Sequence, residues 1–181
     1  SKAPDEARDA RADAGTEPHR ILQEILTGVK SGEAVSDYAL AVLPKEHHAA
    51  VAEAVCFLRD FNITVCDTER IVWSYEYKVA GTIDGVGVCH NNFVIWDWKT
   101  GAAIYWETAL QLAAYAHLLT ELTGVVVTEA YAVRLPRAGD SGGYEVKRLT
   151  SAGLAEAWAA YKSSLSLHRA NKVDYWEEAD A

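Results

Sequence analysis

The strongest constraint in this sequence is the apolar run Phe93-Val94-Ile95-Trp96, which leads without a break into Asp97-Trp98-Lys99. Four successive apolar residues of aromatic and β-branched type predict a buried strand, here Phe93 to Lys99. Side chains alternate along a strand, so Asp97 and Lys99 share one face, and Trp96, Trp98 and Thr100 point the other way. An isolated Asp-x-Lys reads most simply as an exposed ion pair, which contributes little. At the end of a buried strand that reading loses force, because a charge there needs compensation.

The flanking sequence supplies more polar groups. Gly81 to Cys89 reads as the preceding strand and His90-Asn91-Asn92 as a hairpin turn, which brings Asp84 to the same end of the sheet as Asp97. Two carboxylates at close range repel, and a hard divalent cation removes that cost. Gly81, Gly85 and Gly87 are read as leaving room for a bulge or for a ligand close to the backbone. Downstream, Trp106 to Leu122 has helical periodicity and is closed by Gly124. On that helix Gln111 and Tyr115 are four apart and share a face. The alternative there is Tyr115 as a core residue and Gln111 as a surface one.

Around this segment the order of elements is helix, helix, three-strand meander, helix, two strands, helix. The first helix starts near Pro18, with Thr16 as cap and Ile21, Leu22, Ile25 and Leu26 at helical spacing. A second helical region lies within Tyr38 to Phe61. Alternation of Ile71, Trp73 and Tyr75 predicts a strand over Arg70 to Ala80. Val125 to Leu135 and Tyr144 to Leu149 read as strands joined by the turn Pro136 to Gly143. Ser151 is the expected cap of a last helix, Leu154 to His168. The expectation is an α/β fold, a central mixed β-sheet flanked by helices. Residues 1–14 read as a frayed N-terminal segment, and 15–181 as a single domain.

Composition narrows the class. The chain has 181 residues, half of them hydrophobic, enough for one domain with a sizeable core. No apolar run approaches the length of a membrane span, and Ser1 to Ala14 has no signal-peptide core, so a cytoplasmic location and no membrane partner are expected. The net charge of −9 argues against nonspecific grip on polyanions. Much of that acid is terminal, however, and a metal site needs acids. Cys56, Cys66 and Cys89 form no CxxC pair, so neither a zinc site nor an iron–sulfur cluster is expected.

Together these motifs resemble a known family. Gly81-Thr82-Ile83-Asp84, Asp97-Trp98-Lys99 and Gln111-Leu112-Ala113-Ala114-Tyr115 look like the GxxD, DxK and QxxxY motifs of the RecB-like branch of the PD-(D/E)XK nuclease superfamily, and Gly15-Thr16-Glu17-Pro18-His19 resembles its GxxxH motif. The match runs in order over residues 15–115. The resemblance implies a restriction-endonuclease-like core and a Mg2+- or Mn2+-dependent deoxyribonuclease, an exonuclease acting on DNA with a single-stranded end in repair, recombination or replication. It implies His19, Asp84 and Asp97 as metal ligands with the Trp98 carbonyl assisting, Lys99 as the catalytic lysine, and Gln111 and Tyr115 as groups that position the phosphate. The four cysteines of the cluster-bearing subgroup are missing, as is a Walker A sequence. The likeness is therefore to free-standing phage, bacterial or mitochondrial enzymes. A helicase or recombination protein is an expected partner, in a bacterial cell or phage-infected host. The alternatives are a catalytically silent binding module on the same fold and a sequence-specific endonuclease.

The remaining features have plainer readings. His47-His48 reads as a solvated helix start, and Glu24 and Glu76 are weak candidates for a supporting acid. Lys78, Arg134, Arg137, Lys147 and Arg148 fit a DNA path or ordinary surface charge equally well. Trp73, Tyr75, Tyr105 and Trp106 are expected in core or helix-staple roles, with stacking on unpaired bases as the alternative.

Overall fold

The computed structural model describes residues 44–171, so the expected N-terminal segment, the Pro18 helix, His19 and Glu24 lie outside the described residues. Helix α1 (Lys45–Asp60) follows Pro44, whose fixed φ suits a helix entry. Five strands and two helices follow: β1 (Ile63–Ser74), β2 (Val79–Cys89), β3 (Asn92–Lys99), α2 (Glu107–Thr123), β4 (Val127–Arg134), β5 (Glu145–Thr150) and α3 (Ser151–Ala170). The strands form one sheet in the order β1-β2-β3-β4-β5. Only β3 and β4 run parallel, because α2 carries the chain back between them. The other neighbours are antiparallel.

Alternation along β3 and β4 divides the core into two layers. Trp96 and Trp98 of β3 and Tyr131 and Val133 of β4 meet Val51, Ala54 and Phe57 of α1 on one face. Phe57 sits edge-on to Trp98 and Tyr131, with centroids 5.7 and 5.6 Å away. Ile95, Ala130 and Ala132 face the other way, under Leu112, Ala113, Ala116 and Leu119 of α2 and Leu154 of α3. Because Asp97 lies between Trp96 and Trp98, it points toward α2 with Ile95.

Several boundaries depart from the sequence reading. The predicted strand over Arg70 to Ala80 is two pieces: β1 ends at Ser74, a turn covers Tyr75 to Lys78, and Ala80 belongs to β2. In the other direction β1 begins at Ile63. Its polar run Asp67-Thr68-Glu69-Arg70 hid this, as did a register irregularity between Val65 and Asp67. The last helix starts at Ser151, and its cap is Thr150, whose Oγ1 accepts from the Gly153 amide. A hairpin turn stands at the expected place, though as two residues and not three: His90 and Asn91, both at positive φ, make the connection, and Asn92 already pairs with Cys89 in β3. So does the Gly124 end of α2, at φ 72°. Trp73, Tyr75, Tyr105 and Trp106 are not core residues, since all four rings are exposed. Among the described residues no helix is long and apolar enough to cross a membrane.

Candidate active site

The β2–β3 ladder stops at Gly85↔Trp96. One step further along the same register stand Asp84 and Asp97, each on its own strand. Here Asp84 Oδ2 takes the Trp98 amide proton at 2.7 Å, so a side chain replaces the next ladder bond. Regular alternation fails at the same place: Ile83 and Val86, three apart, both enter the layer under α2. The two carboxylates are 9% and 3% exposed.

Such a pair is costly when both groups are charged. Burial lifts the Asp84 carboxyl well above the usual carboxylate range, and the charge of Asp97 pushes it the same way, against the Trp98 N–H. A proton or a cation resolves the conflict. Hard oxygen donors side by side suit a Mg2+- or Mn2+-sized ion, so the donor set fits the divalent metal that the motifs imply. Among the described residues, no three His, Cys, Asp or Glu side chains come together closely enough to hold an ion. His19, the third ligand implied by the resemblance, lies outside them.

Lys99 leans onto this pair. Its Nζ is 2.6 Å from Asp97 Oδ2 and donates to Gln111 Oε1 at 3.0 Å. Gln111 Nε2 in turn donates to the Tyr115 hydroxyl at 3.0 Å. With its carbonyl on the ammonium and its amide on the phenol, Gln111 has one orientation only. Tyr115 accepts here and keeps its own proton to donate. Burial, the largest influence on its phenol, keeps it neutral. Helical spacing puts Gln111 and Tyr115 on one face of α2, above the strand end that carries Lys99. The structure thus brings together Asp84, Asp97, Lys99, Gln111 and Tyr115, with the Trp98 backbone between the two acids.

The glycines act differently from the sequence reading. A side chain at Gly81 would lie 2.4 Å from the Tyr115 ring, and one at Gly85 would lie 2.0 Å from the Trp96 indole. They make room for aromatic side chains of the protein itself. Gly81 lets Tyr115 close over β2, and Gly85 and Gly87 let Trp96 lie flat on the opposite face.

Glu69 is the acid that sequence reasoning missed. The pairs Thr68↔Gly85 and Arg70↔Ile83 place it opposite Asp84, so Glu69, Asp84 and Asp97 form a row across three strands. Burial raises its carboxyl, and the charge of Asp97 adds to the effect. Its φ of 51° is unusual for glutamate inside a strand. With the strand start predicted at Arg70, Glu69 fell in a connection, and nothing in the local pattern marked it. Glu76, the weak candidate, is exposed in the β1–β2 turn. Of the five basic residues suggested for a DNA path, four have partners within the protein: Arg134 pairs with Glu145, Arg148 with Glu129, Lys147 with the Ile104 carbonyl and Arg137 with the Thr100 carbonyl, while Lys78 is exposed in the β1–β2 turn. His47 and His48 lie half-buried in the first turn of α1, away from this row.

A mixed sheet flanked by helices, with acids and a lysine at the splayed ends of adjacent strands, defines a restriction-endonuclease-like nuclease fold. The family model of the PD-(D/E)XK nuclease superfamily matches residues 1–179, and the chain belongs to that superfamily. That superfamily is one of nucleases, a class that binds nucleic acid and generally uses divalent metals. Among solved structures it is similar to the crystal structure of SSO0001, at 14% identity and a TM-score of 0.34, over 70% of this chain and 66% of that one. The chain spans just under two thirds of the length of that protein. Comparison with curated proteins gave no match.

Asp84→Asn tests the electrostatics directly. The amide oxygen can still accept the Trp98 N–H, but the buried charge is gone. A carboxyl raised by folding gives stability at low pH, which is lost as pH rises from the ordinary carboxylate range through its raised value. In chelator, thermal unfolding of the wild type should therefore lose stability across that window, and Asp84→Asn should flatten the loss.

Proposed function

We propose that this chain is a divalent-metal-dependent deoxyribonuclease of the RecB-like branch, which hydrolyses phosphodiesters from DNA with a single-stranded end. The observation that carries the reading is the buried Asp84–Asp97 pair with Lys99 held between Asp97 and Gln111. Asp84, Asp97 and the Trp98 carbonyl would hold Mg2+ or Mn2+, with His19 as a further ligand. When bound, such an ion polarises a phosphoryl oxygen and lowers the pKa of water.

The rest falls to the protein. Lys99 is fixed by two acceptors and offers its remaining proton to the attacking water or to charge growing on the phosphate. Gln111 keeps the ammonium from swinging away. Tyr115, with its hydroxyl proton uncommitted, donates to a non-bridging oxygen and orients the backbone. Ile83, Ile95 and Leu112 belong to the buried layer under α2 on the face toward which Asp97 points, and low polarity there strengthens the charge interactions. Attack is direct, with no covalent enzyme intermediate. A role at DNA ends in repair, recombination or replication follows from the branch, with a cytoplasmic setting and a helicase or recombination protein as partner.

The test uses end-labelled single-stranded, blunt double-stranded and covalently closed circular DNA, with Mg2+, Mn2+ or chelator, beside Asp97→Ala. Metal-dependent loss of linear but not circular DNA, absent in Asp97→Ala, is the expected result. Cutting of the circle would make the enzyme an endonuclease, and binding without cutting under all conditions would make it a silent module. Full activity in Asp97→Ala would remove the assignment.

A further inference from the structure

A cleft of about 680 Å3 opens beside the acids, lined among others by Lys99, Gln111, Tyr105, Glu107 and Thr108. Tyr105 is 63% exposed, and among the described residues its ring meets no other ring and its hydroxyl has no hydrogen-bond partner. An aromatic side chain left this bare gains nothing for the fold. Its backbone, by contrast, is pinned. Neighbouring Ile104 is buried and its carbonyl accepts from Lys147 Nζ at 2.8 Å, the Tyr105 carbonyl accepts from the Thr108 amide, and Arg137 holds the Thr100 carbonyl. The exposed ring is therefore presented on a fixed backbone in the lining of the cleft.

We propose that this cleft is a nucleobase subsite, in which the unpaired base next to the scissile phosphate stacks on Tyr105. The proposal rests on the nuclease reading above and specifies how that site recognises its substrate. The polarity of the walls sets the direction. Lys99 attracts a phosphate, whereas Glu107 repels one and, with Thr108, can pair with the donor edge of a base. The volume lies within the range of small-ligand sites and accepts a base with its sugar. Stacking on a phenol ring tolerates any base, because each has a π-face. A base inside a duplex is already stacked on both sides and paired at its edge, so the subsite selects single-stranded nucleotides.

Binding is read without turnover, by fluorescence anisotropy of a labelled single-stranded DNA oligomer in chelator, with the full chain. Tyr105→Ala should weaken binding about 5- to 150-fold, the range for loss of one aromatic–base stack. Tyr105→Phe should bind as the wild type does. Trp106→Ala removes a neighbouring ring that is 70% exposed but does not line the cleft, and should change affinity less than twofold. With an oligomer of abasic residues, wild type and Tyr105→Ala should bind alike. Wild-type affinity in Tyr105→Ala, an equal loss in Trp106→Ala, or an equal loss toward the abasic oligomer would each overturn the subsite. Cleavage with Mg2+ or Mn2+, run in parallel, reports separately on the nuclease reading. A protein that never cuts yet shows the Tyr105 dependence loses that reading and keeps the subsite. One that cuts without the dependence keeps the reading and loses the subsite.

Discussion

Lys99→Ala should lower single-turnover cleavage of end-labelled single-stranded DNA by about 10²- to 10³-fold or more, the effect of removing one preorganised donor from a developing anion. The lysine end is partly open to solvent, with 27% of the side chain exposed, so the truncation leaves no large cavity. It does strip Asp97 of a cation at 2.6 Å, and a buried acid that loses its partner is destabilising. Chelated Lys99→Ala should therefore melt below the wild type, and Mg2+ should restore much of the difference. Cleavage should not return with Mg2+, because the metal restores charge balance and not the lost donor. Gln111→Ala provides the comparison: Lys99 keeps its charge but loses its second tether, so a smaller defect in rate is expected, with little change in melting. If Lys99→Ala cuts at the wild-type rate, the lysine has no part in the reaction.

Gly85→Ala should have the largest effect on stability. Its Cβ would stand 2.0 Å from two carbons of the Trp96 indole, a ring with no exposed surface and its Nε1 without a hydrogen-bond partner among the described residues. Trp96 cannot retreat, because Trp98 flanks it at 5.9 Å between centroids and Gly87 admits its far edge. Overpacking at such a site costs about 3 kcal/mol, at the upper end of the usual range. For a chain of this size that lowers the melting temperature by about 6–12 °C. A smaller residue at position 96 should recover part of the loss, so Gly85→Ala combined with Trp96→Leu should be more stable than the sum of the single changes implies. Unchanged melting of Gly85→Ala would show that the indole does not lie over Gly85.

The sequence reveals which polar residues meet better than the frame that holds them. Asp97 with Lys99, and Gln111 with Tyr115, are grouped by periodicity, because β3 and α2 are regular where they carry them, whereas Asp84 is placed by the hairpin and by the GxxD motif. The start of β1 is hidden for the opposite reason. Where β1 passes beside the acids it turns polar over Asp67 to Arg70 and bends at Glu69, so the alternation that marks a strand is lost where the site begins. Glycine is ambiguous in the same way. A bare backbone position can admit a ligand or a neighbouring ring, and only the fold shows that Tyr115 and Trp96 fill these spaces. Exposure is the third quantity that pattern does not determine. Tyr105 and Trp106 directly precede α2, but whether another element covers them depends on the whole topology.

The Asp84–Trp98 contact also makes the site observable. One backbone amide in the middle of the sheet has a carboxylate as its acceptor where its neighbours have carbonyls. Its proton resonance and its exchange with solvent therefore depend on the charge state of Asp84 and on anything that draws that carboxylate toward a cation. Trp98 provides a built-in spectroscopic reporter beside the two buried acids, readable in the unmodified protein and without substrate.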